Sequence, residues 1–176
     1  MDSEQHQSGT GLSIWGGGVV GGLVGGIAMG LVLHLGANQI HLFGALVGDP
    51  TVLTGWIVHL TFSVVFGLVF ATLVSSVVVD TVIGTFSDYV VSGLAYGSIL
   101  GLFSGGFLLP LSLSQLGAVT YPAPFLPLPG IGGELLFALL LAIAHLVYGV
   151  TIGGVYATIN GSAPAVVTDR IPVLEQ

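Results

Sequence analysis

Four stretches of this chain, residues 13–35, 51–79, 89–109 and 134–159, contain no Asp, Lys or Arg, and their one Glu is Glu134 at the start of the last. Each reaches the ~20 predominantly apolar residues that a helix needs to cross the hydrocarbon core of a bilayer. In lipid every backbone N–H and C=O must be satisfied within the spanning structure, and a helix does this alone. The expectation is an all-α integral membrane protein with four transmembrane helices. Composition agrees: 5% of residues are charged and 53% hydrophobic, where a soluble domain carries about 25% charged residues. One basic residue and eight acids could not keep such a surface in water.

The second and fourth stretches share a pattern. WIVHLTFSVVFGLVFATL at 56–73 returns as AIAHLVYGVTIGGVYATI at 142–159. His59 matches His145, Gly67 matches Gly153, Phe70 matches Tyr156, and the Ala-Thr pair 71–72 matches 157–158. After each histidine, small residues follow at steps of four, Ser63, Gly67 and Ala71 against Gly149, Gly153 and Ala157. Such steps hold to one slowly winding helix face. The first and third stretches carry glycine ladders with the same step: Gly18, Gly22, Gly26 and Gly30, then Gly93, Gly97, Gly101 and Gly105. Helical glycine costs roughly 1 kcal/mol in water, but in a bilayer it lets two backbones approach closely. A glycine zipper is therefore expected, with the first and third helices packed through their ladders.

The chain then reads as two tandemly duplicated helical hairpins. Residues 1–12 form a polar acidic tail, 13–79 the first hairpin, 80–88 a polar loop, 89–159 the second hairpin and 160–176 a C-terminal tail. The connection 36–50 is partly apolar and is expected at the membrane interface. Pro110 is expected to close the third helix. The insert 111–133 has four prolines between 122 and 129, which exclude helix there; with Tyr121 and Phe125 it is expected to cap the bundle at the membrane surface. The acidic start lacks the basic region of a signal peptide. An even number of spans places both termini on one side, and Arg170, the sole basic residue, favours the cytoplasm. In an up-down bundle the second and fourth helices are diagonal partners, so His59 and His145 face each other at similar depth.

A net charge of −7 excludes nucleic acid as a partner, since phosphate binding needs a basic surface. The absence of cysteine excludes thiol chemistry and thiolate metal sites. No Ser/His/Asp set, no HExxH and no Gly-Lys-Ser/Thr loop occurs, so the chain is not expected to be an enzyme. An ionisable residue within a span is a candidate functional residue, which singles out His59 and His145. Two uses suit them. As polar glue, each hydrogen-bonds across the bundle; as axial ligands, they hold a b-type haem, with Ser63, Gly67, Gly149 and Gly153 making space at its edge. His34 and His41 could join His59 in a metal or proton-relay cluster, though the second half offers no counterpart. Glu134 suits a helix N-terminus, and also falls three turns from His145 on one face.

Taken together, the duplicated ladder, the motif H-x-x-x-[SG]-x-x-x-G-x-x-[FY]-A-T and the acidic ends resemble the small four-helix membrane proteins of halophilic archaea. That resemblance spans 13–159 and implies a fold and a high-salt host, with no activity or site residue attached. Three functions follow as expectations. The first is a non-enzymatic membrane protein, a small subunit or scaffold of a larger assembly, with the lipid bilayer, other membrane subunits or further copies of itself as partners. The second is a bis-His haem b electron carrier. The third is a transporter of a small solute or of protons.

Overall fold

The computed structural model describes residues 10–76, 83–118 and 122–162. The terminal tails to either side, Arg170 and the centre of the loop between the hairpins lie outside the described residues. Within them the chain is all helical. Helix α1 (Thr10–Leu31) runs into a π turn at Val32–Gly36, followed by the short α2 (Ile40–Ala45) and then α3 (Val52–Val74). Helix α4 (Phe86–Phe103) passes through a second π turn at Ser104–Leu108 into α5 (Leu109–Gln115), and α6 (Ile131–Ile159) completes the bundle. Four helical segments, Ile14–Gly36, Val52–Val74, Phe86–Gln115 and Ile131–Ile159, are long and apolar enough to cross a membrane.

Local chemistry sets the starts. Thr51 caps α3, its hydroxyl accepting from Thr54 N–H at 3.2 Å. Thr85 and Asp88 form a reciprocal capping box on α4, so that helix begins earlier than the expected 89 and takes in part of the polar loop. Such a box satisfies two of the orphan N–H donors of a helix N-terminus.

Pro110 does not end the third span. It sits in the first turn of α5, directly after the π turn. The helix runs on through this point, with Leu109 N–H donating to the Ser104 carbonyl, and the proline, which has no N–H to give, falls one residue beyond that longer bond. The wider π turn resets the hydrogen-bond register just before it.

The glycine ladders pack, but not on each other. Gly18, Gly22 and Gly26 lie against Ala71, Gly67 and Ser63 of α3. A Cβ on Gly22 would stand 3.0 Å from Val64 Cα and 3.1 Å from Gly67 Cα. Likewise Gly93 and Gly97 lie against Gly149, Gly153 and the His145 carbonyl of α6; a Cβ on Gly97 would stand 3.0 Å from Gly149 Cα. Each ladder thus closes its own hairpin, which corrects the expected pairing of the first helix with the third. Geometry explains the outcome. Helices that are neighbours in an up-down bundle are antiparallel hairpin partners, and α1 and α4 stand on its other diagonal.

The contacts also align the ladders one rung away from their sequence alignment. Gly22, Gly26 and Gly30 take the places on α3 that Gly93, Gly97 and Gly101 take on α6. The halves meet mainly through α1 and α6, where Gly17, Gly21 and Gly25 seat Tyr156, Ile152 and Tyr148. The start of α1 therefore stands beside the end of α6.

The 36–50 connection is buried in part. Ala37, Ile40, Leu42 and Ala45 are core residues, Val47 to Pro50 are exposed, and α2 presses on α3 where Gly44 meets Gly55. The insert reaches the same end of the bundle: Phe125 N–H donates to the Gly36 carbonyl at 2.9 Å.

Candidate functional site

His59 and His145 are brought together. Both are buried, at 2% and 3% exposure, and both line one small cavity between α3, α4 and α6. Their hydrogen bonds fix their tautomers, because a carbonyl can only accept. His59 Nε2–H donates to the Gly26 carbonyl on α1 at 2.9 Å, which leaves Nδ1 as the lone-pair nitrogen. His145 is the reverse. Its Nδ1–H donates to the Leu141 carbonyl of its own helix at 2.8 Å, and its Nε2 accepts from the Ser104 hydroxyl at 3.0 Å.

Two tyrosines add cross-helix bonds. Tyr148 hydroxyl donates to the Ser63 carbonyl at 2.7 Å, tying α6 to α3. Tyr96 hydroxyl donates to the Phe66 carbonyl at 2.8 Å, tying α4 to α3.

This arrangement does not fit a haem. The cavity between the imidazoles is about 30 Å³, room for a water or two and none for a macrocycle. Both Nε2 atoms are engaged, one by Gly26 and one by Ser104. The edge space expected at Ser63, Gly67, Gly149 and Gly153 is filled by backbone. Gly67 faces Gly18 and Gly22, Gly149 faces Gly93 and Leu94, Gly153 faces Tyr89 and Val90, and Ser63 covers Gly26. Small residues at steps of four serve a helix as well as a cofactor, and here a helix occupies them.

The other candidates disperse. Trp56 stands between His34 and His59, with its ring 6.0 Å from each, and Phe43 packs edge-on to His59 at 4.9 Å. Burial lowers the pKa of His41, and among the described residues no three metal-binding side chains converge. Glu134 lies in the first turn of α6, exposed beside the prolines of the insert, far from the buried His145.

Sequence reasoning passed over Ser104 and Gln39. Ser104 falls beside the ladder residue Gly105, off its step. Gln39 belongs to a connection whose burial depends on α2 folding back, and nothing local signals that. Compared with protein-family models, with curated proteins and with solved structures, the chain matches none.

Proposed function

We propose that this chain is a multi-pass membrane protein with a structural, non-enzymatic role, a small subunit or scaffold in a membrane assembly. The observation that carries this reading is the engagement of both imidazoles with groups of the bundle itself, Gly26, Leu141 and Ser104. Polar side chains between helices act as glue of this kind. Burial supports the subunit role: the Phe86–Gln115 span is 6% buried, against 44%, 33% and 33% for the others. Its outer face, including Val91, Ile99 and Leu102, is the side on which a neighbouring subunit joins. Both termini on the cytoplasmic side and a high-salt host complete the proposal, the latter supported by eight acids and no lysine.

Cysteine chemistry tests it, since the chain has no cysteine of its own. Ile99→Cys or Leu102→Cys in native membranes is expected to cross-link to one defined membrane protein or to a second copy, while Leu53→Cys on α3 does not. Cross-links of equal yield at all three positions would show α4 facing lipid like the rest. Protein produced with ample haem is expected to stay colourless. Reduced-state haem bands lost in both His59→Ala and His145→Ala would replace the structural reading with the electron carrier.

A further inference from the structure

The buried polar groups of the bundle do not all find protein partners. Gln39 is 3% exposed, and its Nε2 has no hydrogen-bond partner. Leaving a buried donor unmade costs about 1–3 kcal/mol, and such groups in native proteins are normally met by ordered water. Gln39 lines a second cavity of about 30 Å³ with Ser104, Ser112 and Leu141. Phe43, Ser104 and Leu108 also line the cavity that holds the two imidazoles. The Ser104 hydroxyl is therefore common to both: it gives its proton to His145 and keeps lone pairs for other donors. At the far side His59 spends Nε2 on Gly26, which leaves Nδ1 as its lone-pair nitrogen.

We infer that the two cavities are one internal hydration site, holding water molecules that link the Gln39 amide to His59 through Ser104. Size and chemistry both suit water. A cavity needs ~10–15 Å³ of this kind of volume to hold one molecule, with two to four polar partners. In the outer cavity a water accepts from Gln39 and donates to Ser104 or Ser112. In the inner one a water donates to His59 Nδ1 and Ser104. Past Tyr148 the core packs on Phe70, whose ring lies 5.4 Å from Tyr96 and 5.8 Å from Tyr156.

Magic-angle-spinning NMR of isotopically labelled protein in lipid bilayers, with magnetisation transferred from water, tests this directly. The Gln39 side-chain amide and the rings of His59 and His145 are expected to receive water magnetisation several-fold faster than Phe70 and Ala144. Build-up as slow as in those core residues would overturn the proposal. Ser104→Val fills the shared wall with methyl groups. It is expected to slow transfer to His59 to the core rate while leaving Gln39 fast; unchanged transfer to both would mean separate sites and overturn the link. Thermal unfolding gives an independent reading. Gln39→Leu lowers Tm if water ties the amide into the network, and raises Tm if the amide is buried dry.

Discussion

Helices α1 and α4 take corresponding places, one against α3 and one against α6, yet α1 is buried on two sides and α4 on one. On α1 the glycines come in pairs: Gly18, Gly22 and Gly26 close on α3, while Gly17, Gly21 and Gly25 close on α6. On α4 only the first kind of face exists. Where α1 has Gly21 and Gly25, the contact register gives α4 Ser92 and Tyr96. A tyrosine in that place holds helices apart. Tyr96 reaches α3 through its hydroxyl and through its ring against Phe70 at 5.4 Å, and α3 and α4 have few close approaches. The polar cavity lies on this seam, between Phe62 and Phe66 of α3 and Leu100 of α4. A single face of small residues makes a hairpin; a second makes the joint between hairpins.

The largest expected effect lies where both helices are glycine. Gly67→Leu would drive its side chain into the backbone of Gly18 and Gly22, and size-exclusion chromatography in mild detergent is expected to show no monodisperse species. Overpacking by smaller additions costs about 1–3 kcal/mol, which is the loss expected for Gly97→Ala in denaturant titration. Gly105→Ala is the matched control on the same ladder. Its Cβ would meet only Leu141 Cδ2, at 3.4 Å, and no measurable loss is expected. Equal losses would mean that the effect does not depend on the close backbone contact at Gly97.

The comparison between the two faces sharpens with the pair Gly21→Leu and Ser92→Leu. The first lands on Ile152 of α6, 3.1 Å from its Cγ1, and should cost about 1–3 kcal/mol. The second opens onto the loose seam and should cost little. Tyr96→Phe removes one interhelical hydrogen bond and is expected to cost about 0.6 kcal/mol. Loss of several kcal/mol there would mean that the α3–α4 seam is as tight as the others.

Much of this architecture was legible in the residues. Apolar length alone located the four helices, and the four-residue step identified which face of each would be buried. The pairing of those faces was not legible, because a glycine ladder states how near a neighbour comes and not which neighbour it is. Gly21 and Gly25 were visible as extra glycines, and their meaning required the position of α6. The helix start at Thr85 carried a readable box with Asp88, hidden by the polar character of its surroundings. Pro110 misled because a π turn five residues long precedes it. At the site, His59 and His145 were found and their partners were not: a backbone carbonyl such as Gly26 leaves no mark in a sequence.

The central claim is that both imidazoles are neutral hydrogen-bonding struts of opposite tautomer. Nitrogen-15 spectra of selectively histidine-labelled protein in bilayers measure this most directly, with His59→Gln and His145→Gln assigning the two signals. The account predicts a proton on Nε2 of His59 and on Nδ1 of His145, with neither nitrogen bound to iron. The same tautomer on both rings, or ring nitrogens shifted by a paramagnetic metal, would contradict it.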